Sequence, residues 1–146
     1  MSNAVKAASQ AGLFLFRRLS ANAVEFLLLH TNEASGSCLG ECEEPVQGAL
    51  RITECLTGLT KCDIDVFSKY KYPLKYTHLE DSNEIDFFLG HVHNNNKQIV
   101  ISDCHCDYKW MNLECACNRM KYIELKQMAK CYQNIIIDNK LGNYTI

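Results

Sequence analysis

The chain has 146 residues, 47% of them hydrophobic and 22% charged, which suits one compact domain and excludes a disordered chain. Fifteen basic and 17 acidic side chains leave a net charge of -2, which excludes the strongly basic balance of a general nucleic-acid binder. No apolar run approaches a membrane span, so no membrane partner is expected. The start, MSNAVKAASQAG, lacks the long apolar core of a secretory leader, and a cytoplasmic protein is expected.

Residues 1–9 read as a polar lead-in, and residues 10–137 as one domain. From Gly12 to Arg18 the run GLFLFRR predicts a buried strand. A turn at residues 19–23 leads to a second strand over Val24–His30, VEFLLLH. Unbroken apolar runs of this kind suit strands covered on both faces. A Ser/Gly/Asn loop fills residues 31–39. Next comes an amphipathic helix within Gly40–Leu59. Glu43 and Glu44 place acid at its start, Pro45 suits its first position and Gly58 supplies its stop. Val46, Ala49, Leu50 and Thr53 share one face of it, and Glu43, Gln47, Arg51 and Glu54 the other.

Strand signals resume at Ile64–Tyr72, with Leu74–Thr77 continuing that strand or pairing with it after a Pro73 kink. A polar turn at residues 78–83 precedes a strong strand over Glu84–His93, in which His91 and His93 share a face as a solvated or satisfied pair. Residues 94–97 form a loop tip. Short strands are expected over Gln98–Ser102 and Tyr108–Leu113, with Trp110 in the core. Lys121–Ile137 reads as a helix with Tyr122, Leu125, Met128, Ala129 and Tyr132 on one face. Residues 138–146 read as a tail. The pattern predicts an α/β or α+β fold, a mixed β-sheet between helices.

Nine cysteines are irregularly spaced. Cys104, His105, Cys106, Cys115 and Cys117 invite a zinc site. Structural zinc, however, prefers cysteine pairs with two to four residues between them, and the C-x-C pairs here have one. Free thiols packing as small hydrophobes are the better expectation.

Two stretches carry a resemblance. A-G-L-F-L-F-R-R followed by N-A-V-E-F-L-L-L resembles the first two strands of Nudix hydrolases, closest to the diadenosine tetraphosphate hydrolases of animals. Ser102–Ala116 is similar to that branch's S-H-E-H-x-x-Y-x-W-x-x-L-E-x-A at Ser102, His105, Tyr108, Trp110, Leu113, Glu114 and Ala116. The resemblance runs over residues 10–135 and implies the Nudix fold. In that family the motif R-E-U-x-E-E-x-G-U (U bulky and aliphatic) holds divalent cations beside a pyrophosphate.

Here Glu43, Arg51, Gly58 and Leu59 keep the register, while Ile52, Cys55 and Leu56 stand where three glutamates would. Glu54 is one step off, a rotation of about 100° around the helix. Cys104 occupies a further glutamate position, and Asp81, Ser82 and Asn83 replace a phosphate-gripping Lys-Pro-Lys. Arg51 is expected to be structural, paired with Glu43 or capping loop carbonyls. The resemblance places Tyr76 and Tyr122 on either side of an adenine.

The expectation from this degenerate Nudix box is a catalytically inactive binding protein. It would have no catalytic or metal-ligating residue and no cofactor. Its partner would be an adenine nucleotide stacked on Tyr76 and Tyr122, or a protein or RNA assembly such as a ribosome. The alternative is an active dinucleoside polyphosphate hydrolase. Its non-standard metal site would take magnesium or manganese from Glu43, Glu44, Glu54 and Asp103.

Overall fold

The computed structural model describes residues 10–29, 37–38, 44–75, 84–94, 96–101 and 108–142. Four long strands, β1 (Gln10–Ser20), β2 (Ala23–Leu29), β4 (Ile64–Lys75) and β5 (Glu84–Val92), join β6 (Tyr108–Met111) and the two-residue β3 (Ser37–Cys38) in one sheet. The strand order is β4-β5-β1-β2-β6, with β3 also pairing β1. The β1–β5 pair is parallel and the others are antiparallel, so the sheet is mixed. Helix α1 (Pro45–Thr57) covers one face, and α2 (Leu113–Arg119) and α3 (Ile123–Asp138) cover the other.

The continuous apolar runs are explained by this sandwich, because alternate side chains of a central strand enter opposite cores. Phe14 and Phe16 of β1 pack with Met128, Ala129, Tyr132 and Ile136 on the α3 side. Ala11 and Leu15 point the other way, Ala11 against Ala49 of α1 and Leu15 into a cluster with Leu59, Ile64 and Val92. Full burial of each large side chain contributes roughly 1.5–3 kcal/mol.

Helix α1 begins where the sequence asks. Glu44 is its N-cap residue in extended geometry, without a side-chain cap, and Pro45 follows. Ala49, Thr53 and Thr57 are buried on the inner face. The two threonines keep their hydroxyls satisfied there by donating to the carbonyls of Ala49 and Thr53, each at 2.7 Å. Gly58 closes the helix in the left-handed region at φ 78°, its N–H donating to the Glu54 carbonyl at 2.9 Å.

Several expectations are corrected here. Residues 98–101 form no strand. Val100 N–H instead donates to the Thr57 carbonyl at 2.9 Å and Ile99 fills the core beside Leu59, so tertiary contacts absorb a segment with strand-like composition. The strand at Tyr108 ends at Met111 rather than Leu113. Asn112 caps a new helix, α2, by accepting the Cys115 N–H at 2.9 Å. Strand β3 lies inside the expected loop over residues 31–39. Pro73 does not divide β4, because β4 is an edge strand on which a proline is tolerated. A bulge lies earlier, where pairing jumps from Phe67↔Leu89 to Lys71↔Phe88. The expected polar turn over residues 78–83 lies outside the described residues.

Candidate functional site

The sheet gives the site its address. β5 runs parallel to β1 and antiparallel to β4, so Gln10 pairs with Ile85 and Lys75 with Glu84 at one end of the sheet. Strands β1 and β5 begin there and β4 ends there. On one face, Ala49 of α1 meets Ala11 and Phe88 near that end, while Leu59, just past the helix, packs in the cluster of Leu15 and Val92 further along. On the other face, the Tyr132 ring lies 5.9 Å from Phe14. Beyond α3, the Leu141 carbonyl accepts from Arg18 Nη1 at 2.6 Å. Tyr122 precedes Tyr132 by ten residues, about 15 Å of helix, which places it near the start of β1. The N-termini of α1 and α3 therefore converge on the same end of the sheet from opposite faces. Each carries the partial positive charge of its macrodipole, and neither has a side-chain cap.

Tyr122 is the N-cap residue of α3 and half-buried, packing against the α3-side core, with the Lys121 ammonium 5.5 Å from its ring centroid. The sequence placed it on the helix face; the structure puts it at the helix entrance. Its expected partner Tyr76 lies outside the described residues, as do Glu43, Asp103, Cys104, His105 and Cys106. On α1, Gln47, Arg51, Glu54 and Cys55 are exposed, whereas Ile52 and Leu56 are half-buried. Arg51 is on the outer face and does have an interaction partner. Glu44 is exposed at the helix start.

These positions decide what the described donors can hold. Glu44 and Glu54 are ten residues apart, about 15 Å along the axis, too far to share one ion. Among the described residues no group of three His, Cys, Asp or Glu side chains is placed to hold a metal. Cys115 and Cys117 are free thiols on α2, and Cys55, Cys62 and Cys131 are free as well.

The two histidines lie away from the site and have different surroundings. His91 is buried under the far end of the sheet, its ring 5.0 Å from Phe16 and its Nδ1 3.8 Å from Asp65, while His93 is exposed. Burial lowers the His91 pKa, opposed by Asp65 and reinforced by His93 and Arg18. Trp110, expected in the core, is half-buried. The Arg17 guanidinium sits 4.6 Å from its ring centroid, and Glu25 pairs that arginine at 2.7 Å. Trp110 and Glu25 also line a groove of about 430 Å³ between β6 and α2, on the opposite edge of the sheet from β4.

Sequence reasoning read the basic residues of Lys61–Lys75 as a solvated face and missed Asp86 and its pairing with Lys71. Asp86 is 8% exposed on β5, and the Lys71 ammonium lies 3.8 Å from its carboxylate. The available signal was the lone carboxylate inside the apolar run EIDFFLG.

No family profile matches the chain. The asymmetrical bis(5'-nucleosyl)-tetraphosphatase of Mus musculus is 26% identical over 126 residues, covering 79% of this chain and 86% of the mouse protein. A solved C. elegans Ap4A hydrolase in a binary complex superposes with a TM-score of 0.80 at 23% identity, covering 90% of this chain and 99% of that one. The Nudix hydrolase RenU of M. smegmatis gives a TM-score of 0.68 at 13% identity, covering 94% and 89%. These findings correct the expectation of a protein without enzymatic activity: the named relatives are tetraphosphatases and the neighbours are hydrolases. That expectation rested on a few side chains, on one helix and in two other stretches, whereas the likeness extends over most of the chain. The pseudoenzyme and ribosome-associated readings find no support in these relatives. Among the described residues no helix is long and apolar enough to cross a membrane. With its mixed sheet between helices, the chain has the fold of the Nudix hydrolases, and its sequence is similar to that of the asymmetrical tetraphosphatases.

Proposed function

We propose that this chain is a hydrolase of dinucleoside polyphosphates, such as diadenosine tetraphosphate, or of a related nucleoside diphosphate derivative. The observation that carries the reading is the alignment with the mouse tetraphosphatase over 126 residues, 86% of that protein. The convergence of two helix N-termini at the β4–β5–β1 end favours it, since a polyphosphate is polyanionic.

In this reading the adenine stacks on Tyr122, with Tyr76 opposite. Stacking needs only a flat aromatic face, and loss of one such ring costs about 1–3 kcal/mol per base. The reading also includes a magnesium or manganese ion, hard cations that take oxygen donors. The described donors do not fit such an ion by themselves, because Glu44 and Glu54 are too far apart along α1. The reading therefore assigns its remaining ligands to Glu43 and Asp103.

The test is release of AMP and ATP from diadenosine tetraphosphate by the purified chain with magnesium or manganese, followed by chromatography. Glu43→Gln is expected to lower turnover by about a hundredfold or more, and Tyr122→Ala to raise KM about tenfold. No release of AMP with either ion overturns the reading.

A further inference from the structure

Edge strand β4 presents two lysines at the site end of the sheet, and the bulge explains why. In an unbroken ladder Ser68 would oppose Phe88. The extra residues Ser68–Tyr70 instead bring Lys71 opposite Phe88, and an odd insertion reverses which face each later side chain takes. Phe88 belongs to the cluster with Ala11 and Ala49, so its cross-strand partner Lys71 faces the α1 side. Lys75, four residues on, takes the same face, while Leu74 enters the α3-side core. Both lysines are exposed. They stand roughly 13 Å apart along the strand, a gap that their flexible four-carbon stems can close onto neighbouring phosphates. Asp86 lies two residues before Phe88 on the same face. Its side chain is 12% exposed and lies 3.8 Å from the Lys71 ammonium. A carboxylate so far out of water is costly to hold without a cation, so the pair fixes Lys71 over the sheet.

We propose that Lys71 and Lys75 form the phosphate grip of this chain, with Asp86 as the positioning residue for Lys71. The ligand is the phosphate chain of a polyphosphate nucleotide. The proposal rests on the polyphosphate reading above and names the residues that hold the anion. It places the grip on β4, whereas the resemblance puts a Lys-Pro-Lys where this chain has Asp81, Ser82 and Asn83.

Lysines also protect an edge strand from pairing with another chain, and the experiment separates the two roles. Sodium tripolyphosphate is titrated into the full-length chain by calorimetry, with diadenosine tetraphosphate turnover measured in parallel. The double variant Lys71→Met and Lys75→Met is expected to bind tripolyphosphate at least tenfold more weakly. Lys61→Met, an exposed lysine before β4, is expected to stay within twofold, and Lys71→Arg to restore most of the binding. Asp86→Asn removes a negative charge, which by simple electrostatics tightens anion binding. A positioning role predicts the opposite, a threefold or greater weakening.

Undiminished binding in the double variant, or no binding by the native chain, overturns the grip. Tighter binding by Asp86→Asn overturns the role given to Asp86. Turnover by the native chain with an unchanged KM in the double variant removes the grip and leaves the hydrolase reading. Binding lost in the double variant without any native turnover does the reverse.

Discussion

Tyr132 joins three elements through one hydroxyl. It lies 2.6 Å from the Tyr70 carbonyl and 3.0 Å from the Phe87 carbonyl, and donates its single proton between them. The Tyr70 carbonyl belongs to the β4 bulge, where ladder bonds are interrupted, so α3 supplies a donor that the sheet does not. Burial raises the Tyr132 pKa well above the usual phenol value, and the group stays a donor at any ordinary pH. Tyr132→Phe keeps the ring packing against Phe14 and Tyr72 and removes only the proton. The expected loss is about 1–3 kcal/mol of unfolding free energy, the cost of leaving buried acceptors without a partner. Urea denaturation with an unchanged m-value checks it.

At the scale of elements, α1 is set by its ends. Its inner face is small, with Gly48, Ala49, Thr53 and Thr57 buried, which lets the helix sit close to Ala11. Its stop depends on Gly58 at φ 78°, where a Cβ would also meet the Val100 Cβ at 3.4 Å. Gly58→Ala is expected to cost about 1–2 kcal/mol, the penalty for a side chain in the left-handed region. Chemical denaturation reads that cost directly. The control Gln47→Ala, on the exposed face, is expected to change little. Helix α2 was legible in principle. Asn112 followed by Glu114 is a helix-start pattern, but it was masked by YKWM, which reads equally as strand.

At the scale of the whole molecule, the segment after α3 closes the far end of the sheet. Arg18 is buried and donates to the carbonyls of Leu141 and Ala21, each at 2.6 Å. A Cβ on Gly142 would lie 2.9 Å from a Phe16 ring carbon and 3.1 Å from His91 Nε2. His91, with Asp65, His93 and Arg18 around it, is thus covered by three strands and this returning segment. Because burial lowers its pKa below the usual 6.5, the unfolded chain takes up a proton there before the folded chain does. Stability is full above about pH 6.5 and falls as the pH drops from there towards the lower folded value. Thermal unfolding between pH 7.5 and 5 is expected to show Tm declining, and His91→Gln to flatten that part of the decline. An unchanged slope in the variant removes His91 as its cause.

Much of the fold was legible because local chemistry and tertiary demand agree. The apolar runs at Leu13–Phe16 and Phe26–Leu29 specify strands buried on both faces, and Pro45 and Gly58 mark both ends of α1. The resemblance carried the rest of the family assignment. What the sequence by itself could not decide is which side chains share a surface. The bulge at Ser68–Tyr70 reverses the facing of Lys71 and Lys75, and a register shift leaves no mark in composition. Asp86 becomes a partner of Lys71 only across two strands, and Tyr122 becomes a helix entrance only because α3 begins at Ile123, two residues later than the periodicity suggests. Such placements depend on long-range pairing and on opposed helices meeting one end of a sheet. Local sequence fixes elements; contacts distant in sequence choose the faces on which a site is built.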